Sequence, residues 1–289
     1  HENVFSFEQV IKSKEFKLIN KGIPNLGISR STFWLKFEIY NITSNSNLHL
    51  ILEQPNLDEV ELHMLSSNEK NYTPIRKGEF EAFHHKNYQH PNYIFDIHIP
   101  KNSSRTFILK IKANEQIFLP LFVSSTNSTV QYISKQDILF SFYTGIIFVM
   151  LLYNIFIYFT VRDRIYLFYV IYILFILFTQ VALKGYHFKY LMPDFPVWAN
   201  KCVTLFPSIT GIAAIEFIKA FLGIKEKAPH LNKIFKILNI IFFLSIILLF
   251  FNSPDYSFKI MQTNTLMLSI YALYVGFKII KLGYRPAKF

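Results

Sequence analysis

Four polar side chains, Asn154, Gln180, Glu216 and Lys219, stand inside otherwise apolar stretches of this sequence. An amide or a charge in hydrocarbon is costly to bury, so each is by default a candidate ligand contact, relay group or packing contact. Glu216 and Lys219 are three residues apart and share a helix face, where they neutralise each other or snorkel to the nearby cytoplasmic interface. Asn154 calls for an interhelical hydrogen-bond partner. In the amino-terminal half, Trp34 and Tyr40 point to the polar side of an extended segment. An exposed indole or phenol stacks on the apolar face of a sugar ring, and Asp58, Glu61 and Arg76 are the nearby groups able to bond its hydroxyls. The opposing expectation is that Trp34 packs against its own domain.

Other constellations carry less. His84, His85 and His90 cluster in FHHKNYQHP, but the spacing matches no zinc pattern and no cysteine is near, so they are expected to be solvated loop residues and no metal is expected. His63 alternates with apolar neighbours and reads as a surface strand residue. No nucleophile, base and oxyanion set stands out, and no phosphate loop can be built from the 9 glycines present. The segment is therefore expected to be non-catalytic and to need no cofactor.

The elements that position these residues fall into two halves. From Phe33, FWLKFEIY places Phe33, Leu35, Phe37 and Ile39 on one side of an extended chain. The same period of two recurs in EVELHML (Val60, Leu62, Met64), in YIFDIHI (Tyr93, Phe95, Ile97, Ile99) and in TFILKIK (Phe107, Leu109, Ile111), with a further apolar segment at LHLIL. NITSNSN, EQPNLD, SSNEKN and PKNSS supply turns between them. No helix is expected in this half. Residues 1–132 read as an antiparallel β-sandwich with a core of its own.

Residues 133–289 read as a membrane region with five spans, at about 138–160, 165–183, 202–221, 234–251 and 260–280, each near the ~20 residues that a bilayer demands. The chain of 289 residues carries a formal charge of +11, with 52% hydrophobic and 18% aromatic residues and one cysteine. Such a composition excludes a disordered chain and a disulfide-stapled domain. Residues 1–136 hold 15 Lys and Arg against 13 Asp and Glu, so most of the surplus charge belongs to the membrane half. Much of it sits in short connections: Arg162 and Arg164 after the first span, Lys225, Lys227 and Lys233 after the third, and Lys281, Arg285 and Lys288 after the fifth, against Lys184 and Lys189 after the second and Lys259 after the fourth. Positive charge in short loops marks the cytoplasmic side, so the β half is expected outside and the end of the chain inside. A bilayer, rather than a nucleic acid, is the partner this charge implies. No leader is visible and the first residue is His, which leads us to expect that one has been removed.

Two groups of motifs resemble one family. FWLKFEI, QPNLDEVELHML, RKGE and IFDIHIPKNSSRTFILKIK are similar to the second type of extracellular domain of the bacterial 7TM receptors with diverse intracellular signalling modules. YTGIIFVMLLYNIFIYFTVRDRIYLFYVIY, KGYHFKYLMPDFPVWAN and KLGYRPAKF resemble the seven-helix region of the same receptors. The resemblance implies a multi-domain α+β fold, a jelly-roll-like β-sandwich followed by a polytopic α-helical transmembrane bundle. It also implies a fragment that stops before the sixth helix, a glycan or other small-molecule ligand on the outer domain, a bacterial cell-membrane location, and a kinase or cyclase output that often works through a homodimer.

The function expected from this is a sensor that relays occupancy of the β domain through the junction 131–137 to the helices. The alternatives are a transporter or channel with an accessory outer domain, and a membrane-tethered carbohydrate-binding protein. The spans show no paired Gly- or Pro-broken helices, which disfavours transport.

Overall fold

The computed structural model describes residues 6–13, 15–19, 22–65, 74–78, 82–251 and 253–281. Arg285, Lys288 and the SSNEKN turn lie outside the described residues. The chain divides into two compact units, one comprising residues 1–137 and 184–200, the other 138–183 and 201–289.

The first unit begins with a short helix, α1 (Phe7–Lys12), where none was expected. Its signal is local: the Ser6 hydroxyl accepts from the Gln9 amide while the Gln9 side chain accepts from the Ser6 amide, a capping box that satisfies two donors at a helix start. Among the described residues nine strands follow: β1 (Asn25–Ile28), β2 (Phe33–Asn41), β3 (Asn47–Leu52), β4 (Glu59–Leu65), β5 (Ile75–Lys77), β6 (Tyr93–His98), β7 (Ser103–Lys112), β8 (Gln116–Phe118) and β9 (Leu121–Ser125). They pair antiparallel in sheets of order β2-β7-β4-β5, β6-β3-β9 and β1-β8.

Alternation delivers one side chain in two to the core, as the sequence indicates. Val60, Leu62, Phe107, Leu109 and Ile111 of the four-stranded sheet face Leu50, Leu52, Phe95 and Ile97 of the three-stranded sheet, all essentially without solvent exposure. Tyr93 enters this core because its hydroxyl donates to the Leu57 carbonyl at 2.9 Å. The turns use the expected chemistry. Asn41 is buried and its amide donates to the Asn45 and Ile99 carbonyls, and Asn102 takes the left-handed conformation before β7.

The second unit is built from α2 (Thr126–Val161), α3 (Arg164–Leu183), α5 (Pro196–Phe221), α7 (Asn232–Phe250) and α8 (Pro254–Lys281). A one-turn helix, α4 (Tyr186–Tyr190), separates α3 from α5, and another, α6 (Ile224–Lys227), follows α5. Among the described residues five helices are long and apolar enough to cross a membrane. Two begin well before the apolar stretch that marks them in the sequence. Hydropathy first rises at Ile138, but the helical backbone starts at Thr126, so the expected junction 131–137 is helix rather than linker. Likewise α5 starts at Pro196, a residue preorganised for the first helical turn.

Polar and small residues join these helices, as apolar surfaces gain little from one another in lipid. Ser245 of α7 and Ser257 of α8 each donate to the other's carbonyl, at 3.0 and 2.7 Å, and Asn264 donates to the Leu238 carbonyl at 2.9 Å. Gly211 of α5 lies directly against the ring of Phe242, which is fully buried. A Cβ at position 211 collides with ring carbons that have nowhere to move. Gly276 has open space instead. Gly211→Ala is expected to destabilise by about 1–3 kcal/mol through overpacking, whereas Gly276→Ala gains helix propensity and is expected to be neutral or stabilising. Thermal midpoints of the two variants in nanodiscs check this ordering.

Candidate functional site

The β-sheet register assembles part of the expected polar group. Trp34 of β2 pairs with Lys110 of β7, Lys110 with Glu61 of β4, and Glu61 with Arg76 of β5, so four adjacent strands contribute one row on the outer face. Glu61 accepts from Arg76 Nε at 2.8 Å, and Lys110 Nζ lies 2.6 Å from Glu59 and 3.5 Å from Glu61. The indole is flanked rather than free. Phe7 of α1 stands 6.1 Å from Trp34 and stacks on His63 at 3.9 Å. His63 is therefore buried, not a surface residue, and burial pushes its imidazole below the usual range against the pull of Glu61.

Tyr40 and Asp58 do not join this row. Tyr40 lies six residues along β2 from Trp34, roughly 20 Å at strand rise, and is largely exposed. Asp58 precedes β4 and is only 2% exposed. Its carboxylate accepts from Asn114 at 2.6 Å and from Asn200, just inside α5, at 2.8 Å. Lys110, Glu59 and Phe7 are not among the expected site residues, and His63 is expected there only as a surface strand residue. Aligning FWLK against LKIK as neighbouring strands would have exposed Lys110, but the stacking of α1 has no signature within the sheet.

The Asp58–Asn200 bond is one of several that fold residues 184–200 into the β unit. Phe188 packs edge-on against Phe83 at 5.4 Å, and the Phe83 amide donates to the Pro193 carbonyl at 2.9 Å. His187 is fully buried and its Nε2 bonds the Ala199 carbonyl at 2.8 Å. Gly185 takes a φ of 74° close against Pro55 and Pro91, where a side chain has neither conformational nor spatial room. His90, expected to be solvated, is buried beside Tyr186 and Asp137, and Tyr186 donates to Asp137. Burial pushes the His90 imidazole down while Asp137 opposes it, and both burial and Asp137 push the Tyr186 phenol up. His84 and His85 are exposed. Among the described residues no group of three metal-binding side chains occurs.

A second polar row crosses the outer face of the three-stranded sheet. His49 of β3 lies between Asp96 of β6 and Ser124 of β9. His49 Nε2 is 3.3 Å from Asp96 and 3.2 Å from the Tyr88 hydroxyl, and Nδ1 is 3.0 Å from the hydroxyl of Thr129 in the first turn of α2. Thr129 also bonds Ser124 at 2.6 Å. Burial and the bond to Asp96 push the Tyr88 phenol up to about 12. This row pins the start of α2 to the sheet that precedes it.

Within the helical unit, Lys219 donates to Glu216 at 2.7 Å, and Asn239 of α7 adds a third bond to that carboxylate at 3.0 Å. Asn154 does not reach another helix. Its amide donates to the Met150 carbonyl of its own helix at 2.8 Å, because a side chain four residues along can return to the backbone it follows. Gln180 is half-buried in α3 and shares no hydrogen bond with either. Tyr166, Tyr169, Phe217 and Phe221 line a cavity of about 460 Å³ with Asn154.

A β domain followed by helices long and apolar enough to cross a bilayer points to a membrane protein. The pattern of the 7TM diverse intracellular signalling region matches residues 136–289, and that of 7TMR-DISM extracellular 2 matches residues 1–125. The chain belongs to the 7TM diverse intracellular signalling receptors. No curated protein matches it.

Burial raises the Asp58 carboxyl from 3.8 to about 6, with the Asn200 and Asn114 bonds and Lys112 partly opposing the rise. A raised carboxyl favours the folded state while protonated, so its contribution is complete below pH 3.8 and is lost as pH rises through about 6. The difference in stability between the native chain and Asp58→Asn is expected to change by roughly 3 kcal/mol across that window. Paired thermal melts from pH 4 to 7 measure it, with the native chain losing ground as pH rises.

Proposed function

We propose that this chain is the sensing and relaying part of a transmembrane receptor in a bacterial cell membrane. Its β unit lies outside the cytoplasm and binds a small ligand, and the helices carry occupancy to a cytoplasmic signalling module of the kinase or cyclase kind. The observation that carries this reading is the continuity of α2, which runs from the last strand of the β unit into the first span. Ser125 ends β9 and Thr126 begins α2, and the division between the two units falls inside that helix, at 137/138. It falls inside α5 as well, at 200/201. A ligand transmits only if it binds two arrangements with different affinity, and a strand that passes directly into a spanning helix supports such a bias.

The positive loop charge supports the orientation. A glycan stacked on Trp34 is the weaker part of the reading, since Phe7, His63 and Lys110 already surround the indole.

Two measurements test the proposal. In a Cys202→Ser background, an impermeant maleimide added to spheroplasts is expected to label Ser31→Cys and to leave Arg162→Cys unlabelled until lysis. The opposite pattern would remove the sensor reading. Releasing the pinned turn with His49→Ala and Thr129→Val is expected to alter amide exchange at residues 161–165 at least twofold. Unchanged exchange there would mean that α2 relays nothing.

A further inference from the structure

Among the described residues, β2 is bonded only to β7 and β9 only to β3, so the two main sheets are not joined along that side. The consequence appears in the core. Leu35 and Phe37 of β2 point inward yet remain half-exposed, while Leu109 and Phe107, their partners on β7, are fully buried. Val123 of β9 also points inward and is 37% exposed. Between these edges lies a cavity of about 390 Å³, within the range of roughly 300–1,000 Å³ usual for small-molecule sites. Its lining, which includes Leu35, Phe37, Ile39, Leu121 and Val123, has no charged or hydrogen-bonding side chain.

A second cavity of about 390 Å³ adjoins it, sharing Ile39 and Val123. Its character differs. Thr43, Ser124, Ser125 and Ser128 bring hydroxyls, and the lining contains no carboxylate, amine or guanidinium. Ser125 and Ser128 form the turn from β9 into α2, with their hydroxyls 3.0 Å apart.

We propose that the open side of the sandwich binds a neutral amphiphile, with its acyl or alkyl chain between β2 and β9 and its hydroxyl-bearing head against Thr43 and the Ser124–Ser128 turn. The chain segment follows from the first lining. A bare sugar placed there would bury hydroxyls without partners, whereas an apolar chain completes a core that the strands leave uncovered. The neutral head follows from the second lining, which offers hydrogen bonds and no counter-charge. This proposal rests on the reading of the β unit as the ligand-binding part and names the class of its ligand. It also places the head on the first turn of α2, where occupancy has the shortest path into the helices.

The test uses the whole chain in nanodiscs, with 1-decanoylglycerol as probe and glycerol and decanoate as controls, read by amide exchange. Decanoylglycerol is expected to slow exchange severalfold at residues 33–39 and 121–125, with little effect from glycerol and a weaker effect from decanoate. Val123→Trp fills the cleft and is expected to raise the concentration needed for half protection at least tenfold. If that variant also loses protection at 107–111, Val123→Thr, which keeps the shape but adds a hydroxyl, is read in its place and is expected to weaken binding about threefold. Absence of protection at both edges, equal protection by glycerol, or an unshifted half-point in the variant would overturn the proposal. A chain that fails here yet keeps the His49- and Thr129-dependent change at residues 161–165 would remain a receptor with a different ligand.

Discussion

The chain passes between its β unit and its helical unit three times, at 137/138, 183/184 and 200/201. The first and third lie within α2 and α5, and the second is followed at once by Gly185, which is held against Pro55 and Pro91. Helical backbone is continuous through the first and third crossings, with its hydrogen bonds running from each residue to the one four before it.

Each crossing has its own anchor in the β unit, and the anchors differ in chemistry. At α2 it is a row of neutral and ionisable hydrogen-bonding groups, with Thr129 held by His49 and Ser124. At the 184–200 segment it is mainly apolar, with Phe83, Phe188 and Ala199 buried together. Asp58 adds the polar part, a buried carboxylate shared by Asn114 and Asn200. Buried groups of this kind are stable only when fully bonded, so the segment has a defined place and not merely a sticky one. The amphiphile cleft lies at the opposite sort of surface, where the strands leave apolar core groups without a cover.

Much of this architecture is legible in the sequence, and the boundary of legibility is physical. Period-two alternation identified the inward residues of β2, β4, β6 and β7, since burial of one face follows from pairing alone. It could not say that Leu35 would be half-exposed and Leu109 fully buried. Both alternate identically, and only strand order makes one an edge. Helix α1 was readable from Ser6 and Gln9 but is too short for periodicity to reveal. Hydropathy located the five spans yet placed the start of α2 at Ile138, since the residues from Thr126 to Asp137 are polar and helical at once. The segment 184–200 was assigned to the membrane region for its position in the chain. Its membership in the β unit depends on Asp58, Phe83 and His90, a hundred residues away. The polar row was half found, with Trp34, Glu61 and Arg76 in it and Asp58 and Tyr40 elsewhere, because residue type reports chemistry but not register.

Amide exchange of the native chain in nanodiscs reports whether residues 184–200 are structurally part of the β unit. Slow exchange is expected at residues 186–191, approaching that of the β7 core, with selective loss in Phe83→Ala while residues 107–111 stay protected. Rapid exchange of 186–191 in the native chain, or protection indifferent to Phe83→Ala, would contradict it.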